Sequence, residues 1–339
     1  PKAGVRGRIV RFESLDELRR SPRIDGRIAF IDQAMPRTQD GSGYGAVVEI
    51  RSAGPSEAAR KGALAILIRS VGTDHHRFPH TGMLRYADDA PSIPAAALSV
   101  PDADQLTRIL ERSESVEVEL ELRPRFVGPR PTGNVVGEIV GATRPDEIVL
   151  VGAHLDSWDL GTGAVDDGAG VAIVMTAARL VREHGRPART IRVVLFGAEE
   201  VGLVGAKAYA EAHADELDRH VVAAESDFGA GPIYRLSARV GESAWPTVAH
   251  LQRLVTPLSV VLGDNRGHGG PDLIPLRRSG VPILSLEQGG RDYFDVHHTA
   301  DDTLDKIEAE HLDQNVAVYA ALLWAIANSE ATFRDEALE

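Results

Sequence analysis

The fold is decided by the stretch EIVLVGAHL (147–155), GAGVAIVMTAARLVREHG (168–185) and TIRVVLFGAEE (190–200). The first and third segments are nearly continuous apolar runs of strand length, and the middle one has the spacing of an amphipathic helix that ends in glycine. A buried strand, a helix and a second buried strand predict an α/β fold with a mixed, largely parallel sheet that helices cover on both faces. Ligands of such sheets bind beyond the carboxyl ends of the strands.

The same alternation continues to the C-terminus, and shorter elements precede it. Downstream, the sequence predicts a helix near 204–217, strand HVVAAESD (220–227), helix ESAWPTVAHLQRLV (242–255), strand VPILSLE (281–287) and a final helix near 307–331. Upstream, it predicts strands at 5–14, 26–32, 63–70, 92–100 and 116–124 and helices at 56–63 and 101–113, the last with Asp102 or Asp104 as its N-cap.

A Pro- and Gly-rich stretch, RPRFVGPRPTGN (123–134), separates these two parts of the chain. Such composition is typical of an interdomain connection, and a chain of 339 residues is long enough for two hydrophobic cores. We therefore predict a smaller mixed α/β domain at 1–128 and a larger α/β domain at 129–339.

Composition excludes several classes of function. The 37 Lys and Arg residues are outnumbered by 50 Asp and Glu, which gives a net charge of -13 and disfavours a nucleic-acid binder. The chain has no cysteine, so disulfides, thiolate nucleophiles and Cys-ligated metals are excluded. The longest apolar runs are shorter than the roughly 20 residues of a membrane span. Any metal chemistry must use His, Asp and Glu.

Acidic and imidazole side chains follow the ends of the predicted strands. Each cluster alone has a structural explanation, since a lone His is usually structural and Asp or Glu before a helix usually caps it. Together, at one sheet edge, the carboxylates would repel one another unless cations lay among them. The five clusters are His154 with Asp156, Asp166 with Asp167, Glu199 with Glu200, Asp227, and His297 with His298.

Two divalent metals would relieve that repulsion. Oxygen-rich ligands with one imidazole per metal suit zinc, with manganese or cobalt as substitutes. A bridged metal pair activates a shared water, and a neighbouring carboxylate then acts as general base. Because Glu199 and Glu200 are adjacent, one can bind metal while the other faces the water. The residues therefore predict metal-assisted hydrolysis.

The five clusters lie in four longer strings, which are HLDSWDLGTGAVDDGAG (154–170), FGAEEVGLVGAKAY (196–209), ESDFG (225–229) and HHTADDTL (297–304). These strings resemble the metal-site motifs of the M28 co-catalytic zinc peptidases, most closely those of the plasma glutamate carboxypeptidase branch. The first domain, with GRIAFID, KGALAILIRS, HTGMLRY and IPAAALSV, is similar to the protease-associated domain of that branch.

The resemblance implies a role for each matched residue and a cofactor of two Zn²⁺ ions, with Co²⁺ or Mn²⁺ as substitutes. His298 is preferred to His297 because it precedes Thr299 in the HTxxDT pattern. The implied roles are His154 and Asp227 as ligands of one zinc, Glu200 and His298 as ligands of the other, Asp166 as the bridge, Glu199 as general base, and Asp156 as the residue that orients the His154 ring.

The sequence indicates the substrate less directly than it indicates the metal site. The nearest branch implies short peptides or dipeptides, whereas the wider family is dominated by aminopeptidases. Arg266 and Arg291 would suit a substrate carboxylate, or are loop charges. Tyr293 and Phe294 would line a side-chain pocket, or anchor the loop. In relatives a Tyr that stabilises the oxyanion stands where this chain has His297, so this residue takes that role, packs or contacts the substrate.

Several expectations complete the sequence-based hypothesis. We expect His75, His76 and His80 to be surface or loop residues rather than metal ligands. The resemblance suggests a secreted or periplasmic protein and leaves homodimerisation open. Relatives have a helical segment before the protease-associated domain that completes the peptidase domain, so we expect either a trimmed form or a minimal peptidase domain.

Other functions are weighed against this hypothesis. The alternatives are a metal-free receptor-like binding protein on the same fold and an aminoacylase or cyclase-type hydrolase. A serine hydrolase is disfavoured because no G-x-S-x-G string occurs. A nucleotide enzyme is disfavoured because GTGAVDDG breaks the G-x-G-x-x-G spacing.

Overall fold

The structure is a computed structural model in which residues 4–125 and 127–335 are described. The start of the first predicted domain (1–3) and the end of the second (336–339) lie outside the described residues. The chain divides into two compact units. Residues 294–301 belong to the first unit, whereas the predicted second domain (129–339) includes them. The first unit is Pro1–Arg130 with Phe294–Asp301, and the second is Pro131–Tyr293 with Asp302–Glu339.

The first unit contains a five-stranded sheet with the order β4-β3-β2-β1-β5. Strands β1 to β4 are parallel, and β5 is antiparallel to β1. Apolar side chains such as Ile28, Phe30 and Leu67 form its core. Its strands are β1 (Val5–Phe12), β2 (Arg27–Ile31), β3 (Ala65–Arg69), β4 (Ala95–Leu98) and β5 (Glu117–Leu120), and its helices are α1 (Leu15–Arg20), α2 (Ser42–Val47), α3 (Glu49–Ser52), α4 (Gly54–Arg60) and α5 (Val100–Arg112).

Helix α5 begins before the predicted cap. Ser99 is the N-cap, and its hydroxyl accepts the main-chain N–H of Asp102. The prediction that Asp102 or Asp104 caps this helix is therefore wrong. The physical reason is Pro101, whose fixed φ suits the first helical turn and whose missing N–H needs no partner there.

The second unit contains a seven-stranded sheet with the order β11-β10-β12-β9-β7-β8-β6. Its central strands are parallel, whereas β6 is antiparallel to β8 and β10 is antiparallel to β12. Its strands are β6 (Val135–Ile139), β7 (Arg144–His154), β8 (Arg189–Phe196), β9 (His220–Glu225), β10 (Ile233–Arg239), β11 (Val261–Leu262) and β12 (Ile283–Gln288), and the later helices are α6 (Ala169–His184), α7 (Val204–Ala212), α8 (Trp245–Val255), α9 (Ile274–Arg278), α10 (Tyr293–Val296) and α11 (Ala309–Asn328).

Successive residues of β7 point to opposite faces of this sheet, as the pleat requires. Val149 and Val151 pack in one core cluster with residues of α6, α8 and α11. Leu150 packs in another with residues of α7 and α9. Helices therefore cover both faces, and the predicted α/β class is confirmed. Among the described residues we find no helix with the length and apolar character that crossing a membrane requires.

Candidate metal centre

Parallel pairing brings the carboxyl ends of three strands to one edge of the larger sheet. His154 at the end of β7 pairs with Phe196 at the end of β8, and Gly152 pairs with Glu225 at the end of β9. The residues that follow these strands therefore meet at this edge. They include Glu199 and Glu200 after β8 and Asp227 after β9.

The His154 imidazole lies between two carboxylates. Its Nδ1 donates to the main-chain carbonyl of Asp156 at 2.8 Å, because a carbonyl can only accept. Its Nε2 lies 3.0 Å from Asp166 Oδ1 and 3.2 Å from Asp227 Oδ1. Burial lowers the pKa of His154, but the carboxylates of Asp227 and Asp166 outweigh burial and raise it above its usual value. A proton or a metal ion at Nε2 would satisfy both carboxylates.

The adjacent residues Asp166 and Asp167 have different roles. The Asp167 carboxylate accepts the main-chain N–H of His154 at 3.0 Å and that of Gly170 at 3.1 Å, so it caps the start of α6 and ties it to β7. Asp166, whose φ of -126° is not helical, directs its carboxylate to the His154 ring instead. The capping explanation therefore applies to Asp167, and Asp166 is available to a metal.

Asp156 contacts both the His154 ring and the Glu199–Glu200 pair, through different atoms. Its carboxylate accepts the main-chain N–H groups of Glu199 at 2.9 Å and Glu200 at 3.2 Å. It lies 3.9 Å from His154 Nδ1, which is too long for a hydrogen bond. The main-chain carbonyl of Asp156 orients the imidazole, and its carboxylate holds the Glu pair. The carbonyl contact supports the prediction that Asp156 orients the His154 ring.

Glu199 and Glu200 lie beside His154. Each of these three side chains offers a ligand atom, and the three atoms lie within 4.8 Å of one another. The Trp158 indole N–H donates to Glu200 Oε2 at 2.7 Å. Burial, and then the Asp227 carboxylate, raise the pKa of Glu199 above its usual range, although His154 opposes this. A raised pKa suits a carboxylate that must take up and return a proton.

Further buried carboxyl groups lie at this edge of the sheet. Burial, and then the neighbouring carboxylate of Asp227, raise the pKa of Asp272 to about 8. Burial likewise raises the pKa of Asp227 and of Glu225. The raised pKa values mean that these carboxylates resist ionising together, and a bound cation would remove that resistance. The donor set of imidazole and carboxylate oxygens fits zinc.

His297 and His298 group with the first unit. Their rings stack with centroids 3.5 Å apart, and the Thr81 carbonyl accepts from His298 Nδ1 at 3.1 Å. The His297 carbonyl accepts from His80 Nδ1 at 2.7 Å, and the second nitrogen of His80 bonds to Asp74. His80 lies in a loop, as expected, but it is buried there, and both of its ring nitrogens are hydrogen-bonded. His75 and His76 are exposed, as expected.

The residues considered for substrate binding divide into exposed and buried pairs. Arg266 and Arg291 are exposed loop residues. Tyr293 is buried against Phe228, with ring centroids 4.6 Å apart. Burial, and then the carboxylates of Asp166 and Asp227, raise its pKa. Phe294 stacks on Tyr44 at 4.9 Å, which favours the anchoring role for Phe294.

Two residues that contact the candidate metal ligands were not identified from the sequence. Trp158 and Asp302 both lie inside the quoted motif strings, but neither is a typical metal ligand or base at its position. Trp158 bonds to Glu200, and Asp302 bonds to the main chain beside Asp166. Their position within the strings was the only signal that could have identified them.

Comparison with known proteins gives a consistent family assignment. Residues 134–323 match the model of Peptidase family M28. Carboxypeptidase Q of Mus musculus is 35% identical over 332 residues, which is 97% of this chain and 69% of the mouse protein. Carboxypeptidase Q of Homo sapiens is 34% identical with the same coverage.

Two solved structures are similar to this chain. The Peptidase M28 precursor from Shewanella amazonensis SB2B is 51% identical, with a TM-score of 0.96, and the match covers 99% of this chain and 77% of that one. BSAP, a zinc aminopeptidase from Bacillus subtilis, is 21% identical with a TM-score of 0.66, covering 96% of this chain and 76% of that one. The second likeness concerns the fold alone.

Proposed function

Because the chain belongs to peptidase family M28 and is a metallo-exopeptidase, we propose that it hydrolyses short peptides or dipeptides at a centre of two Zn²⁺ ions, with Glu199 as the general base. One observation carries the proposal. His154 Nε2 lies 3.0 Å from Asp166 Oδ1 and 3.2 Å from Asp227 Oδ1, and the His154 and Asp166 side chains are buried.

The ligands follow from the contacts of the second unit and from the family motif. His154, Asp166 and Asp227 would hold one metal, because their donor atoms already converge. Asp166 and Glu200 would be ligands of the second metal, and the resemblance adds His298 as a further ligand. When bound, the metals supply Lewis acidity toward the substrate carbonyl and a water of lowered pKa.

The protein supplies the proton transfer and the orientation. In our proposal the Glu199 carboxylate takes a proton from the attacking water and returns it to the leaving amine. Its main-chain N–H is held by Asp156 and its burial limits access of bulk water, so the carboxylate is positioned before substrate binds. Such positioning is the protein's main contribution to a metal-assisted hydrolysis.

The Glu199→Gln variant tests this proposal. We expect it to retain wild-type zinc content and to lose about 10²- to 10⁴-fold in turnover of a dipeptide. Glu211→Gln, on the exposed face of α7, is the matched control and should behave as wild type. Retention of more than about a tenth of wild-type turnover would remove Glu199 from the base role. Dialysis against a chelator should abolish activity, and Zn²⁺ should restore it.

Metal content also separates the alternatives. A metal-free receptor-like protein would contain less than one zinc per chain after purification without chelator. A metal-loaded protein that is inactive on a dipeptide panel would favour the aminoacylase or cyclase alternative. Comparing one free dipeptide with its N-acetylated and C-amidated forms identifies which terminus the enzyme requires. Arg266, Arg291 and His297 are candidate contacts for that terminus.

Other parts of the hypothesis remain predictions. We infer from the resemblance that the first unit is a protease-associated domain and that the protein acts outside the cytoplasm. A homodimer is tested by sedimentation equilibrium across a range of protein concentrations.

A further inference from the structure

Asp302 is a buried acid that binds the loop before α6. Its Oδ1 accepts the main-chain N–H of Val165 at 2.6 Å, and its Oδ2 accepts that of Asp166 at 3.2 Å. Its main-chain carbonyl accepts both the N–H of Thr162, at 2.8 Å, and the Thr162 hydroxyl, at 3.0 Å. Four hydrogen bonds therefore join this one residue to the loop.

The loop needs such an acceptor because it is not a regular helix. Asp166 and Asp167 have non-helical backbone angles within the segment Ala164–Gly168. The segment's own main-chain bond joins the N–H of Gly168 to the carbonyl of Gly163 at 2.8 Å. Val165 and Asp166 are buried, and buried N–H groups must be paired. The Asp302 carboxylate pairs both at once.

The backbone of Asp166 fixes where its side chain points. From that backbone the carboxylate reaches to within 3.0 Å of His154 Nε2. We propose that Asp302 is a positioning residue, which holds the main chain of Asp166 so that the Asp166 carboxylate faces the metal centre. This inference rests on the proposed function, because it assumes that Asp166 binds metal. Asp302 itself does not contact the reacting atoms.

A carboxylate is suited to this task and an amide is not. Each oxygen of Asp302 accepts one N–H group. In an Asp302→Asn variant of nearly the same size, one oxygen becomes an NH₂ group that faces a main-chain N–H, so two donors oppose each other. The loop must then shift or leave one buried N–H unpaired.

The experiment measures binding of Zn²⁺ alone, by competition with a chromophoric chelator, and the visible spectrum of the Co²⁺-substituted protein. We expect Asp302→Asn to weaken Zn²⁺ binding by about 10- to 100-fold and to alter the Co²⁺ spectrum, as loss of a partner that orients a ligand does. Asp305→Asn, three residues away on an exposed side chain, is the matched control and should match wild type in both.

A double-mutant cycle separates positioning from general destabilisation. If Asp302 acts through Asp166, then Asp302→Asn should cause no further loss of Zn²⁺ affinity in an Asp166→Ala background. Equal losses in both backgrounds would overturn the inference. Should Asp302→Asn fail to fold by circular dichroism, Thr162→Val removes only the hydroxyl bond to Asp302 and should weaken Zn²⁺ binding a few-fold.

Failure of this inference differs from failure of the proposed function. If Asp166→Ala weakens Zn²⁺ binding but folded Asp302→Asn binds with wild-type affinity and spectrum, Asp302 has no positioning role and the metal centre stands. If the wild-type chain itself binds no stoichiometric Zn²⁺, the proposed function is wrong and the inference is overturned with it.

Discussion

Asp156 Oδ1 accepts the main-chain N–H of Glu199 at 2.9 Å, which ties the segment after β7 to the segment after β8. The other Asp156 oxygen accepts the next N–H along the chain, that of Glu200. One carboxylate therefore fixes the backbone of the proposed base and of the proposed ligand together.

Asp156→Asn should disturb both Glu residues. The new NH₂ group would face a main-chain N–H, so we expect a loss of about 10- to 100-fold in kcat/KM, typical of residues that orient metal ligands. Steady-state kinetics on a dipeptide and zinc analysis measure the effect. Asp159→Asn, an exposed neighbour in the same loop, is the control. Wild-type kinetics for Asp156→Asn would show that the two N–H bonds are dispensable.

Trp158→Phe removes the indole N–H that donates to Glu200 Oε2 at 2.7 Å and keeps an aromatic ring. We expect weaker Zn²⁺ binding, because Glu200 loses a partner that fixes its carboxylate. The measurement is zinc stoichiometry after gel filtration at limiting metal. Trp324→Phe, whose ring packs against His184, controls for loss of a tryptophan. An unchanged stoichiometry and affinity would mean that packing alone holds Glu200.

Gly170→Ala should destabilise the second unit. A Cβ at this position would lie 2.0 Å from the main-chain oxygen of Ser226 and 2.2 Å from Asp167 Oδ1. Helix α6 would have to move from β9, at a cost of about 1 to 3 kcal/mol or more in the free energy of unfolding. Thermal or urea unfolding measures it. Gly137→Ala is the control, since a Cβ there meets no atom within 4 Å. Equal stability of the two variants would show that α6 adjusts freely.

The sequence could predict the strongly patterned elements of the larger sheet. The apolar runs of β7 and β8 and the amphipathic α6 were located to within a few residues, because burial on both faces leaves an unmistakable pattern. Strand β6 was missed because it lies at the sheet edge and its side chains are mostly exposed. Strand β10 was missed because arginines interrupt its apolar residues.

Side-chain roles within the motifs could be predicted only in part. The resemblance implied Asp166 as the metal ligand, but only the bonds from the main-chain N–H groups of His154 and Gly170 show what Asp167 does. The role of the Asp156 carboxylate depends on two N–H groups that lie 43 and 44 residues away. No local pattern encodes such contacts. The burial of His80 likewise depends on a segment 217 residues away.

One contribution to the pH dependence of stability below neutrality should come from a group remote from the proposed metal ligands. His220 is buried, with Nδ1 donating to the Glu216 carbonyl and Nε2 accepting from the Tyr209 hydroxyl. Burial, and to a lesser extent the nearby Arg192 guanidinium, lower its pKa from 6.5 to about 4. The native state thus keeps His220 neutral at pH values where the unfolded chain protonates it.

The direction in which stability changes with pH follows from the number of protons that each state binds. Between pH 6.5 and 4 the unfolded state binds a proton that the native state does not, so stability is complete above pH 6.5 and is lost as the pH falls toward 4. Burial raises the pKa of Glu216, but Arg192 and His213 together outweigh burial and lower it to about 2, so the contribution of Glu216 is lost only below pH 4.5. Of these two groups, only His220 therefore loses stability between pH 6.5 and 4.5, and comparing wild type with a variant at this position isolates its contribution.

Thermal unfolding of wild type and His220→Gln across pH 7 to 4.5 tests this expectation. Glutamine can accept from Tyr209 and donate to the Glu216 carbonyl, but it does not titrate. We expect the Tm of wild type to fall more steeply with decreasing pH than that of His220→Gln, while exposed His250→Gln follows wild type. Parallel curves for all three proteins would mean that His220 becomes protonated without unfolding, and that its burial does not control the acid sensitivity of the second unit.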